Sequence, residues 1–209
     1  MKAHTRETQA SMTPKKALKF LKEGNQRFQT NLRANRNLLE QVNDTRDGQF
    51  PFATILSCID SRVSAELVFD QGLGDIFSIR IAGNFINEDI LGSMEFACKL
   101  AGTRLIVVLG HTKCGAVKGA CDNAKMGNLT TLIEKITPAV NNVIEPKDPS
   151  LRNSTNLEFV DNVAAKNVLL SIERIRKESP ILAEMESHGE VLIVGGMYDI
   201  SDGSVTFYE

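Results

Sequence analysis

Leu105-Ile106-Val107-Val108-Leu109-Gly110-His111-Thr112-Lys113-Cys114-Gly115 runs from five consecutive apolar residues into a polar turn flanked by glycines. An apolar run this short, rich in β-branched residues and closed by glycine, reads as a strand buried on both faces. Three other stretches share the pattern: Phe52 to Cys58 (FATILSC), Asp75 to Ala82 (DIFSIRIA) and Glu190 to Met197 (EVLIVGGM). Helical periodicity fills the gaps between them. Asn87 caps one helix with the stripe Leu91, Met94, Cys98 and Ala101, and Gly102 ends it. Further helices are expected over 115–125 and 129–143. The longest, over 156–178, places Val160, Val163, Ala164, Val168, Ile172 and Ile175 on one face. Asp202-Gly203 is a turn, and Ser204 to Tyr208 reads as a short last strand in a hairpin with the fourth. Buried strands alternating with helices predict an α/β fold with a mainly parallel sheet and helices on both faces.

Upstream of the first strand, Thr13-Pro14 reads as an N-cap followed by proline at the first helical position. The helix runs to about Asn31 with Ala17, Leu18, Leu21 and Phe28 on its apolar side, and Gly24 weakens it. This N-terminal arm needs a surface to lie on. A short helix over 38–45 follows. His4 reads as part of a mobile tail.

The chain has 209 residues, 42% hydrophobic and 24% charged, with a net charge of −2. This is ordinary globular composition and suits one domain over 1–209. There is no basic stripe, no Trp and only two Tyr, so no nucleic-acid partner is expected. No apolar run reaches the roughly 18 residues that span a bilayer, so no membrane partner is expected either. The first eleven residues are polar and do not resemble a secretory signal. The expected compartment is the cytoplasm, where cysteines serve cores, metals or catalysis rather than disulfides.

Two strand ends carry the chemistry. The first strand ends in Cys58-Ile59-Asp60-Ser61-Arg62 and the third in His111-Thr112-Lys113-Cys114-Gly115. In a parallel sheet, ligands bind at the carboxyl ends of the strands, and neighbouring strands lie about 4.8 Å apart. Cys58, His111 and Cys114 therefore form a candidate zinc set of two thiolates and one imidazole. Three protein ligands leave a tetrahedral position open, as in catalytic zinc sites. Two thiolates cancel the charge of Zn²⁺, so a bound water needs a neighbouring acceptor. Asp60 is placed for that role, and Arg62 can hold it in a bidentate pair. Cys98 and Cys121 fall on apolar helix stripes and read as core. His188, before Gly189, suits a helix C-terminus.

The pairing of Cys58-Ile59-Asp60-Ser61-Arg62 with His111-Thr112-Lys113-Cys114-Gly115 resembles the β-class carbonic anhydrase family. The stretch Arg80-Ile81-Ala82-Gly83-Asn84 adds to the resemblance, which runs from about Phe20 to Asp202. It implies a four-stranded parallel sheet with an added antiparallel C-terminal strand, and an N-terminal arm (1–34) packing on a partner subunit. It also implies a homodimer or higher even oligomer. It makes Cys58, His111 and Cys114 the ligands of one zinc per chain, and Asp60 and Arg62 the catalytic pair. Gln49 matches a substrate-binding glutamine usually supplied across the dimer interface, and Phe77 and Ala82 match positions that line the pocket. The Gly115 backbone would help to hold the substrate oxygens. The implied reaction is reversible hydration of CO₂ to bicarbonate and a proton, by attack of hydroxide on zinc. The alternatives are hydrolysis of COS or CS₂ on the same fold, and a non-catalytic zinc module.

Overall fold

The computed structural model describes residues 2–208; Met1 and Glu209 of the expected 1–209 domain lie outside them. The chain opens with α1 (Arg6–Ala10), α2 (Pro14–Gln29) and α3 (Leu38–Thr45), then enters β1 (Ala53–Ser57). There follow α4 (Ala65–Val68), β2 (Ile76–Arg80), α5 (Glu88–Glu95) and β3 (Leu105–His111). Next come α6 (Gly115–Cys121), α7 (Gly127–Glu134), α8 (Thr137–Asn142), α9 (Leu157–Glu178) and α10 (Pro180–Ser187). Strands β4 (Leu192–Tyr198) and β5 (Val205–Tyr208) close the fold.

The sheet order is β2-β1-β3-β4-β5. The first four strands are parallel, and β5 pairs antiparallel with β4. Every residue of β1 and β3 is buried, as their unbroken apolar runs require. From β1 the chain moves out to β2 and then returns to β3 on the other side of β1. This reversal opens a crevice at the carboxyl ends of β1 and β3. Ser57 pairs with Leu109 across these strands, so Cys58 and His111 emerge beside each other at the crevice.

One face of the sheet packs Ile55, Leu105, Val107 and Val194 against α2 and α4. The opposite face packs Leu56, Ile106, Val108 and Ile193 against α5, α9 and α10. Thr13 caps α2 through the Lys16 N–H. Ala17, Leu18 and Leu21 are buried against Phe52, Ile55 and Val107 of the same chain. The surface that the arm needs is thus its own sheet, which takes up its apolar side. Gly24 is also more than a weak point in the helix. A Cβ there would run into the Phe69 carbonyl, so glycine permits the close approach of α2 to the turn after α4.

Other differences have local causes. His4 is not in a loose tail: its ring meets Phe52 edge-on at 5.2 Å and Phe20 at 6.2 Å. The helix expected over 129–143 is two helices. Pro138 sits in the first turn of α8, and its ring excludes a continuous helix through the Glu134 carbonyl. Helix α5 runs on through a wider π-type turn, Phe96–Leu100, before Gly102 ends it at φ +83°.

Candidate metal centre

Cys58 follows β1, His111 ends β3, and Cys114 is the residue before α6. All three are buried, His111 completely. Their donor atoms lie within 4.8 Å of one another, and the two sulfurs are 3.9 Å apart. Among the described residues this is the one group of three or more His, Cys, Asp or Glu side chains close enough to share an ion. His111 Nδ1 lies 3.0 Å from the Thr112 carbonyl oxygen. Donating there fixes the tautomer and leaves Nε2 with its lone pair free. Nε2 is buried and has no hydrogen-bond partner. A buried acceptor left unmatched is costly, and a cation between the sulfurs and Nε2 would satisfy it. The donor set thus fits zinc.

The thiols are matched to that role. Cys58 is drawn down to about 4, first by the Cys114 thiol and, against its burial, by His111 and the Gly83 N–H. That N–H donates to Cys58 Sγ at 3.3 Å. The same thiol–thiol contact, together with burial, pushes Cys114 up. The contact between the two sulfurs thus favours a thiolate at Cys58, and a dication bound between them favours thiolates at both.

Asp60 stands beside this cluster. Its Oδ1 accepts the Arg62 backbone N–H at 3.0 Å and Nε–H at 2.9 Å, and its Oδ2 accepts Nη2–H at 2.7 Å. The Arg62 guanidinium holds Asp60 well below the usual carboxylate range. Oδ2 also lies 4.0 Å from His111 Nε2, so the carboxylate faces the cluster without joining it.

A family model described as carbonic anhydrase matches residues 53–205. The chain belongs to the β-carbonic anhydrase family. It is 36% identical over 199 residues to a carbonic anhydrase of Mycolicibacterium smegmatis, covering 92% of each chain. It is 37% identical over 199 residues to carbonic anhydrase 2 of Mycobacterium tuberculosis, covering 91% of this chain and 90% of that one. A tetrameric β-carbonic anhydrase of the filamentous ascomycete Sordaria macrospora shares the fold, with a TM-score of 0.71 at 22% identity. That match covers 79% of this chain and 84% of the other.

In this β-carbonic anhydrase the remaining expected site residues separate into two groups. Ala82 precedes Gly83, whose N–H reaches Cys58. Gly115 directly follows Cys114 and is exposed, with open space where a Cβ would stand. Gln49 and Phe77 lie away from the cluster. Gln49 is exposed before β1, at the end opposite Cys58. The strand between them alone spans roughly 15 Å or more. Phe77 pairs in register with Thr54 and meets Phe96 at 6.3 Å. Both rings line a groove of about 640 Å³ along the β2 edge.

The sequence reading missed how the loops are held. Arg80 donates to the carbonyls of Cys58 (3.1 Å) and Asp60 (2.7 Å). It therefore pins the segment that carries a candidate ligand and the carboxylate. Its place at the head of Arg80-Ile81-Ala82-Gly83-Asn84 was the available signal.

Proposed function

We propose that this chain catalyses the reversible hydration of CO₂ to bicarbonate and a proton, with one zinc held by Cys58, His111 and Cys114. One observation carries the reading: two buried thiols and an unmatched imidazole nitrogen converge beside a carboxylate locked by arginine. Zinc bound there supplies a nucleophile at neutral pH by acidifying water. The protein does the rest. Asp60 Oδ2 accepts the hydrogen bond of the attacking water and turns its free lone pair towards carbon. Arg62 keeps that carboxylate ionised and occupies both of its oxygens, which stops it swinging in as a fourth ligand. The exposed Gly115 backbone offers an N–H to a substrate oxygen. Ala82, next to the Gly83 that reaches Cys58, gives an apolar wall suited to a small molecule without charge.

A closed, non-catalytic zinc module needs a fourth protein ligand. Cys98 bonds Thr103 under the sheet instead, and Cys121 lies at the far end of α6 from Cys114. Stopped-flow hydration of CO₂ by the zinc-loaded protein tests the function, with COS hydrolysis measured beside it. Turnover of CO₂ well above that of COS is expected. COS turnover with no CO₂ hydration would reverse the assignment.

We also propose a homodimer or higher even oligomer in the cytoplasm, in which the 1–34 arm borders a partner and Gln49 and Phe77 complete the neighbour's pocket. The exposed edge of β2 supports this, as do the exposed Phe96, Leu39 and Leu73. Four free cysteines suit a reducing compartment. Among the described residues no helix is long and apolar enough to cross a membrane. Two inactive variants test the shared site. Gln49→Ala and His111→Ala, refolded together, should regain activity, because mixed dimers contain one site with both residues. An active monomer in sedimentation at low micromolar concentration would refute the shared site.

A further inference from the structure

Helix α9 reaches both loops that carry the candidate ligands, and neither of the side chains it uses touches a donor atom. Asn167 is buried, 4% exposed, and its Nδ2–H donates to the Gly83 carbonyl at 2.8 Å. The N–H of the same Gly83 donates to Cys58 Sγ at 3.3 Å. Gly83 stands at φ +79° and Asn84 at φ +39°. Two successive left-handed residues, of the two types that adopt this conformation most readily, make a tight turn, and its Gly83 carbonyl is held from outside the loop. Asn167 supplies the anchor.

Six residues earlier on α9, Asp161 accepts the Lys113 N–H at 2.7 Å. Lys113 lies between His111 and Cys114, at φ +57°, again left-handed in a residue with a Cβ. Six residues of helix rise about 9 Å, so one rigid element spans both halves of the centre.

We propose that Asn167 and Asp161 are positioning residues for the zinc site. Asn167 aims the Gly83 N–H at the Cys58 sulfur, and Asp161 fixes the turn that presents His111 and Cys114. The inference rests on the reading of these three residues as zinc ligands. A hydrogen bond to a thiolate is charge-assisted. It orients the sulfur before the metal arrives, so less order has to be created on binding.

The test is the zinc dissociation constant, measured by chelator competition, beside the melting temperature of the zinc-free protein. Asn167→Leu keeps the volume and removes the donor. Asp161→Ala removes the acceptor, and Asp161→Asn restores one. Asn167→Leu and Asp161→Ala should weaken zinc binding about 10–100-fold, the usual cost of losing a group that orients a ligand. Asp161→Asn should bind as the wild type does. In the cobalt-substituted protein, Asn167→Leu should shift the thiolate-to-cobalt absorption band, which a structural role would leave in place. Variants that melt earlier but keep wild-type zinc affinity and an unmoved band would overturn the proposal. A wild type that binds no zinc would instead bring down the ligand assignment, and the proposal with it.

Discussion

Replacing His111 by alanine is expected to leave the purified protein nearly free of zinc, and Cys58→Ser to do the same. The wild-type imidazole is fully buried, with its tautomer set by the Thr112 carbonyl and Nε2 unmatched. Removing it leaves the two sulfurs with no third donor on that side. The loss should exceed the roughly 10–100-fold cost of removing a group that merely orients a ligand. Cys98→Ser and Cys121→Ser make the contrast. Burial pushes each of these thiols up to about 11, so neither offers a thiolate at neutral pH. Both variants should carry one zinc per chain by metal analysis. Full occupancy in His111→Ala and Cys58→Ser together would sink the ligand assignment.

The parts of this centre that were legible in the sequence are those where chemistry sits on a regular element. A buried strand announces itself by an unbroken apolar run, and the residue that follows it is easily found. Cys58 and His111 were legible for that reason, as were Asp60 and Arg62 two and four residues beyond Cys58. The braces were not legible. Asn167 interrupts the apolar stripe of α9 between Ala164 and Val168, and periodicity alone treats such a residue as a flaw in the face. Its partner, Gly83, lies 84 residues away, a distance that no local pattern encodes. The setting of the arm was hidden for another reason. Ala17, Leu18 and Leu21 declare an apolar side, but whether that side meets its own sheet or another subunit depends on chain path. The path turns on Gly24 passing the Phe69 carbonyl. The four-residue α4 is too short to show a helical period.

Asp60→Asn is expected to keep its zinc and lose most of its activity. The carboxylate is not among the three converging donors, and its Oδ2 stands 4.0 Å from His111 Nε2. Metal content should therefore match the wild type. The rate should not. Arg62 holds the wild-type carboxylate ionised well below the usual range, so an anionic acceptor is present throughout the neutral range. The amide keeps one acceptor oxygen, but its NH₂ faces the Arg62 guanidinium, which only donates. To avoid that clash the amide must turn or Arg62 must leave, and either change loses the geometry that orients the attacking water. A positioned proton acceptor contributes roughly 10²–10⁴-fold in enzymes of many kinds. A loss of CO₂ hydration within that range, at unchanged zinc content, is the expected result. Arg62→Ala separates the two roles. It leaves the carboxylate in place but unanchored, so Asp60 is free to turn towards the cation and close its open position. That variant should bind zinc at least as tightly as the wild type while turning over more slowly. If Asp60→Asn hydrates CO₂ at the wild-type rate, Asp60 is not the acceptor, and its pairing with Arg62 only shapes the loop.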